Sequence, residues 1–338
     1  MKSISVVLLL FFGFVWVKET SSVPIADRSV AEVLLEFGES DPSKYADMSI
    51  AGVSAEAGEK LIKEGIAQNP KGKNTRKQSK HFTCISCHNV VKEDINLAYP
   101  EPQSRLEFTN QLGIPYLQGT TLYGAVNRST FYNGDYDKKY GDLVKPARND
   151  LREAIHLCAV ECAQGRELKK WEMESIVAYL WEIDLKMSDL IFSPTEVKAI
   201  ETNDASLVSN KEKIEIIKSK YVSGADAHFV IPPFDRNKGY EGITPVPQNG
   251  KLIYENSCLH CHENQRYSFL HLDNSKMSFK HLDKRVAGYH GHSLYQVVRW
   301  GVPVMSGRHS YMPQYTEEKM TNQQLEDLRA YVHLKAME

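Results

Sequence analysis

The sequence lacks an excess of charge of either sign. Its 41 lysine and arginine residues stand against 43 aspartate and glutamate residues, which gives a formal net charge of −2 over 338 residues. A chain with this balance has no general attraction to nucleic acid or to anionic membranes, so its partners must recognise local patches. We therefore expect no nucleic-acid partner.

Long apolar runs are missing beyond the N-terminus. Residues 4–17 form one apolar stretch, interrupted only by Ser5 and Gly13, with Lys2 before it and small residues at 20–22 after it. This length and these flanks are typical of an export signal and short for a membrane span, although an uncleaved anchor stays open. We expect a signal peptide at residues 1–22 and no transmembrane span in the mature protein.

Cysteine is scarce, and its placement is specific. Four of the six cysteines lie in two copies of the tag Cys-x-x-Cys-His, at Cys84–His88 and at Cys258–His262. Two thiols at this spacing can form thioethers with one haem, and the adjacent histidine can bind its iron. A redox disulfide or half of a zinc site is the alternative, but neither requires the histidine.

The two tags predict two covalently bound haem c groups. Attachment would use Cys84 and Cys87 in the first tag and Cys258 and Cys261 in the second, with His88 and His262 as the proximal iron ligands. Because covalent haem attachment takes place outside the bacterial cytoplasm, the tags agree with the export signal, and we expect a periplasmic protein.

The chain repeats the same order of parts around each tag. A short apolar segment precedes each tag, and helical patterns at Trp171–Trp181 and Thr321–Val332 close the two halves. This arrangement resembles class I cytochrome c, over about residues 50–190 and 245–338. We expect an all-α fold with two class I cytochrome c-like domains, at residues 45–191 and 248–338. A long polar connection at 192–247 would join them, with a helix at Asn210–Tyr221.

The second haem needs a distal ligand, and Met312 is the best candidate. It stands in Tyr311-Met312-Pro313, before the closing helix, like the Met-Pro loop of class I cytochromes. Met305 and His309 are nearby rivals, and each of these side chains could simply fill space.

The first haem lacks an ordinary distal ligand over a long stretch. Residues 89–155 contain no histidine, methionine or cysteine, which leaves His156, Cys158, Cys162 and Met173. Aligning Ala178-Tyr179-Leu180 with Ala330-Tyr331-Val332 places the counterpart of Met312 near position 160. A disulfide is the alternative for the two cysteines, but the geometry of a four-residue helical spacing is poor for one. We predict thiolate ligation by Cys158, with Cys162 and then His156 as alternatives.

The distal segment resembles dihaem thiosulfate dehydrogenases and related sulfur-oxidation cytochromes. The resemblance rests on three stretches in which that family has Leu-x-x-Arg-Ile-x-x-Cys, Gly-Lys-x-Leu and Ala-Tyr-Leu: Asp150–Cys158, Gly165-Arg166-Glu167-Leu168 and Met173–Leu180. It implies His/Cys ligation at the first haem and His/Met ligation at the second. The sequence departs from the family after Cys158, where Glu161 stands in place of a cation.

Two functions of different classes follow. The first is the oxidative coupling of two thiosulfates to tetrathionate, with Cys158, Arg152 and Arg166 as catalytic residues and Lys145 and Arg148 as further cations for the dianions. The second is an electron carrier, or a haem subunit of a respiratory complex, which Glu161 favours. Either would need a redox partner. A dihaem peroxidase ranks lowest, since its Phe-Arg-Thr-Pro-type signature is missing.

Overall fold

The computed structural model describes residues 24–224, 226–288, 292–302 and 312–338, and all of its named elements over these ranges are helical. The expected all-α fold is confirmed. The α-helices in chain order are α1 Val30–Glu36, α2 Ala55–Glu64, α3 Pro102–Leu112, α4 Asp137–Tyr140, α5 Leu151–Leu157, α6 Lys170–Glu182, α7 Pro194–Glu201, α8 Asn210–Lys218, α9 Pro247–Ile253, α10 Leu259–His262, α11 Lys276–Asp283, α12 Leu294–Trp300 and α13 Asn322–Met337.

Helix ends follow local sequence signals. At the start of α2, the Ser54 hydroxyl accepts a hydrogen bond from the backbone N–H of Ala57, and Gly65 ends the helix at φ +72°. Thr321 and Gln324 form a capping box that starts α13. These signals set both ends of α2 and the start of α13.

Both halves are built on the same pair of helices. Helix α2 packs against α6 in the first half, and α9 packs against α13 in the second. Each crossing has its own buried apolar cluster, which includes Leu61 and Leu180 in the first half and Ile253 and Leu328 in the second. The predicted repeat is therefore visible as one helix crossing used twice.

The first half also contributes to the core of the second. Leu106 of α3 and the nearby Tyr116 are fully buried within the second half's apolar cluster. The backbone N–H of Tyr116 donates to the carbonyl of Asn256, and the Ser257 hydroxyl donates to the carbonyl of Tyr116. The segment after the first tag that contains α3 and Tyr116 thus holds the two halves together.

The segment at 192–247 contains two helices, α7 and α8, and α8 agrees with the predicted helix there. Ile200 and Ile217 from these helices pack with Val30 and Val33 of α1 and with Leu185. Further along, Phe229 lies between Tyr136 and Trp300, which belong to different halves. The connection therefore packs on the body of the protein. The proposed domain boundaries stay predictions.

The predicted signal peptide, Met305 and His309 lie outside the described residues. No helix in the described part of the chain is long and apolar enough to cross a membrane.

Candidate haem sites

The first tag lies in a cavity of about 240 Å³, called here the first cavity. Cys84, Cys87 and His88 line it on one side, and Cys158 and Cys162 also line it. Its other apolar and aromatic lining residues include Phe82, Leu122, Phe131, Tyr132, Tyr136, Tyr140, Ile155 and Leu180. The structure therefore brings together the first tag and the two remaining cysteines, which are far apart in the sequence.

His88 has the geometry of a proximal iron ligand. Its Nδ1 lies 2.7 Å from the carbonyl oxygen of Thr120, so Nδ1 carries the proton and Nε2 keeps its lone pair. Burial lowers the pKa of His88, which favours the neutral imidazole that binds a metal. A Cβ on Gly119 would overlap the His88 ring, so only glycine leaves room for the imidazole in this position.

Cys158 and Cys162 lie on a π-helical turn that extends α5. In this turn the backbone N–H of Ala163 donates to the carbonyl of Cys158, five residues back. The two cysteines are not joined by a disulfide in this structure. A hydrogen bond with Cys162, together with burial, raises the pKa of the Cys158 thiol. The turn therefore presents two neighbouring cysteine side chains to the first cavity.

The geometry separates the four candidate distal ligands of the first haem. Cys158 and Cys162 are among the described residues that line the first cavity, while His156 on α5 and Met173 on α6 are outside that lining. This placement supports a cysteine ligand over the histidine. Ligation by Cys158 stays a prediction.

The second tag lies against a smaller space of about 50 Å³, called here the second cavity. Cys258, Cys261 and His262 line it together with Met312. Nδ1 of His262 lies 2.9 Å from the carbonyl oxygen of Leu270, which repeats the arrangement at His88 and leaves Nε2 for iron. Burial lowers the pKa of His262.

Met312 is held by a short stretch of extended backbone. The backbone N–H of Val302 donates to the carbonyl of Met312 at 2.9 Å. Gly301 precedes this bridge at φ +68°, and a Cβ there would overlap the Met312 carbonyl. Lys139 of α4 reaches the same region, where its Nζ donates to the carbonyl of Trp300 at 2.8 Å. The loop that carries Met312 is thus tied to the first half.

The two cavities are neighbours. Phe82, Cys87, Gln118 and Pro313 line both of them. Cys87 and Cys261 are close enough for their charges to interact, and this repulsion adds to burial in raising the pKa of Cys87. Two haems attached at these tags would therefore lie next to each other, as electron transfer between them requires.

The two arginines predicted to be catalytic are used elsewhere in the structure. Arg152 makes a two-point ion pair with Glu174 at 2.7–2.8 Å, and Arg166 makes one with Glu172 at 2.5–2.7 Å. Neither arginine is among the described residues that line the first cavity. Both guanidinium groups tie the distal segment to α6, and their catalytic role stays a prediction.

Lys145 and Arg148 were the other expected cations. Lys145 pairs with Asp142 and Arg148 pairs with Asp137. Among the described residues, the lysine and arginine side chains that line the first cavity are Arg128 and Lys319, neither of which the sequence predicted. They stand far apart in the chain, and no local motif marks either of them.

Comparison with known families gives one result. Residues 245–332 match the family model of cytochrome c oxidase, cbb3-type, subunit III. No curated protein matches the chain, and no solved structure matches it. The second half therefore contains a cytochrome c domain, which supports a c-type cytochrome with haem-based electron transfer. This match covers the second tag and leaves the first tag outside.

Proposed function

We propose that this chain is an exported, periplasmic dihaem cytochrome c that oxidises thiosulfate at its first haem and passes the electrons through its second haem to a redox partner. The observation that carries the proposal is the first cavity, which joins His88 to Cys158 and Cys162 and shares part of its lining with the second cavity. When bound, each haem iron supplies one-electron redox chemistry.

The ligand residues set the direction of electron flow. A thiolate from Cys158 is a strong donor that favours ferric iron, whereas the Met312 thioether favours the ferrous state. The first site would thus have the lower potential and the second the higher one. Coupling two thiosulfates to one tetrathionate forms one S–S bond and releases two electrons, one for each haem.

The residues around the first cavity position the proximal histidine and shield the cavity from water. Hydrogen bonding by Thr120 holds the His88 ring in place, and the aromatic side chains of Phe82, Tyr132 and Tyr136 limit access of water. The Cys162 Sγ lies 3.9 Å from the Tyr140 hydroxyl, to which it can donate a hydrogen bond. Sulfur chemistry has a direct use for two thiols at this position, and a simple carrier has little use for them.

The second candidate function is electron transfer without a substrate. It is favoured by the ion pairs of Arg152 and Arg166, which leave these side chains neutralised by Glu174 and Glu172. Glu161, exposed on the π-helical turn, adds a negative charge that would repel a dianion.

One experiment separates the two candidates. Thiosulfate is added without oxygen to the oxidised full-length protein, and haem reduction is followed optically, with sulfate as a non-reducing dianion control. The thiosulfate proposal expects reduction by thiosulfate alone, loss of this reduction in Cys158→Ala, and retention of much of it in Cys162→Ala. If ascorbate or dithionite reduces both haems and thiosulfate reduces neither at any pH tested, the protein is a carrier.

A further inference from the structure

Two cations from different halves line the first cavity. Arg128 comes from the first half, soon after Gly119 and Thr120, and Lys319 comes from the second half, just before α13. Within the described part of the chain, the Arg128 guanidinium makes one long hydrogen bond, 3.5 Å from its Nη2 to the carbonyl of Tyr123. Lys319 Nζ lies 3.3 Å from Glu93 Oε1, and its side chain is 14% exposed.

The buried charges around these two cations do not balance. Glu93 is fully buried and is shared by Lys319 and by Arg105, whose Nη1 lies 3.7 Å away. These cations, with hydrogen bonds from Asn89 and Thr121, lower the pKa of Glu93 to about 2. Burial raises the pKa of the neighbouring Asp94, and Lys319, Arg105 and Arg128 oppose this rise. Three cations, Arg105, Arg128 and Lys319, thus face two carboxylates, Glu93 and Asp94.

This excess of positive charge has a physical cost. Burial lowers the pKa of both Arg128 and Lys319. For Lys319, attraction to Glu93 opposes this effect, and repulsion by Arg105 and Arg128 adds to it. Asp226 also lines the first cavity, but it is exposed, where solvent and salt screen its charge. A buried cation pair of this kind is stabilised when an anion lies between the two groups.

We propose that Arg128 and Lys319 form a binding site for an oxyanion group in the first cavity. The inference rests on the proposed function for the occupant, which is either a carboxylate of the first haem or a free sulfur oxyanion. Both have the same chemistry, a delocalised negative charge on oxygen that accepts hydrogen bonds from guanidinium and ammonium groups.

The site makes the first haem depend on the second half. Its tag and its Arg128 belong to the first half, but Lys319 enters from the segment before the closing helix of the second half. The main chain of Lys319 is held as well, because its carbonyl accepts a hydrogen bond from Arg105 Nη2 at 2.7 Å. Residues of both halves thereby position the ammonium group.

The test is a redox titration of the full-length, haem-loaded protein, with the two haems resolved by their spectra. The variants are Arg128→Gln and Lys319→Gln, the charge-preserving variants are Arg128→Lys and Lys319→Arg, and the control is Lys280→Gln, an exposed lysine on α11. Loss of a cation stabilises ferric iron. We expect each neutral variant to shift the first haem's reduction equilibrium by up to about tenfold toward the ferric form, equivalent to about 59 mV for one electron.

Sulfate distinguishes the two occupants. If a haem carboxylate fills the site, sulfate leaves the spectrum and potential of the first haem unchanged in the parent protein. If the site takes a free oxyanion, sulfate changes them in a saturable way, and Lys319→Gln or Arg128→Gln abolishes the change. The inference is overturned if both neutral variants behave like Lys280→Gln in both measurements. Should Lys319→Gln fail to fold, Arg128→Gln decides alone. The Arg128 guanidinium makes a single long hydrogen bond, so its replacement should cost little stability.

The same samples keep this inference separate from the proposed function. Haem count by mass spectrometry and reduction by thiosulfate report on the proposed function, whereas the potential shift and the sulfate response report on the oxyanion site. A protein with two haems, no thiosulfate activity and the expected shift would support the site and reject the substrate.

Discussion

The two candidate haem sites share the same pair of crossing helices and differ in the residues that face the tag. A Cβ on Gly58 would overlap the backbone carbonyl of Ser175 and approach Tyr179, and a Cβ on Gly250 would do the same with Asp327 and Tyr331. In both halves, therefore, the helix before the tag touches the backbone of the closing helix through a glycine. The match pairs Tyr179 with Tyr331, as the alignment of the closing helices had placed them.

The distal sides are built differently. In the second half, an extended bridge at Val302 carries Met312, while in the first half a π-helical turn carries Cys158 and Cys162. The first half also has residues 66–83 between its helix and its tag, where the second half has only a short turn. The helix crossing is thus the part that the two halves share, and the segment facing the tag is the part that would set the chemistry of a bound haem iron.

Removal of one tag should have the largest effect, and it tests whether each half binds its own haem. Cys258→Ala with Cys261→Ala should lower the protein's mass by one haem, because both thioether partners of the second haem are lost. The matched variant is Cys84→Ala with Cys87→Ala, which should remove the other haem. Denaturing mass spectrometry gives the count. A parent protein with no haem would end the whole interpretation, and a parent with one would reject the repeat.

Removal of the predicted distal ligands should move the reduction potentials of the two haems in opposite directions. Cys158→Ala removes a strong donor to ferric iron, so the potential of the first haem should rise and a thiolate-type low-spin signal should vanish from the electron paramagnetic resonance spectrum. Met312→Ala should lower the potential of the second haem and abolish a sulfur-to-iron band in the near infrared.

The alternative ligand candidates of each haem provide the control variants for Cys158→Ala and Met312→Ala. Cys162→Ala should leave the thiolate signal in place, since only Cys158 is assigned as the ligand. A spectrum that is unchanged in Cys158→Ala and altered in His156→Ala would reject the assignment. For the second haem, an effect of Met305→Ala with none of Met312→Ala would show that the loop was assigned to the wrong methionine.

The equivalence of the two crossings has a simple test in stability. Gly58→Ala and Gly250→Ala each force a methyl group against a backbone carbonyl, so each should lower the free energy of unfolding by about 1–3 kcal/mol. Gly134→Ala is the control, because a Cβ there meets no atom within 4 Å. Denaturant unfolding of the haem-loaded protein measures the change. An effect at Gly250 with none at Gly58 would mean that the halves do not share the crossing.

The sequence predicts the repeated parts of the protein better than the parts that join them. Each tag, each closing helix and the segment Cys158–Cys162 follow from short-range patterns, and the alignment through Tyr179 and Tyr331 predicts the distal position. Arg128 and Lys319 have no such pattern, since only the fold brings them to one cavity. The burial of Leu106 and Tyr116 in the core of the other half likewise depends on contacts between distant segments.

The predicted catalytic arginines also show that the sequence alone does not determine contacts between distant segments. Arg152 and Arg166 are close to Cys158 in sequence, but proximity in sequence does not determine the direction of a long side chain. Glu174 and Glu172 on α6 are buried, and each would be costly without a cation beside it. The arginines therefore turn toward α6, a choice that depends on the packing of the closing helix.

The smallest expected effect concerns how the connection is fastened to the second half. His228 pairs with Glu318 through its Nδ1, and its backbone N–H also donates to that carboxylate. The ion pair raises the pKa of His228. Stability from this pair is therefore fully present below the unfolded pKa of about 6.5, and it is lost as the pH rises through the higher folded pKa. Because His228 is exposed, the contribution should stay below about 1 kcal/mol and weaken with salt.

His228→Gln should remove this part of the pH dependence of unfolding and leave the stability above the folded pKa nearly unchanged. His333→Gln is the matched control, since His333 is similarly exposed and pairs with Asp283 within the second half. The measurement is denaturant unfolding from about pH 5.5 to pH 8.5 at low and high salt. If the two variants lose the same pH-dependent stability, the His228 pair is not a specific fastening of the connection. A loss confined to His228→Gln would show that the connection, whose helices α7 and α8 pack with α1, is also held to the second half by charge.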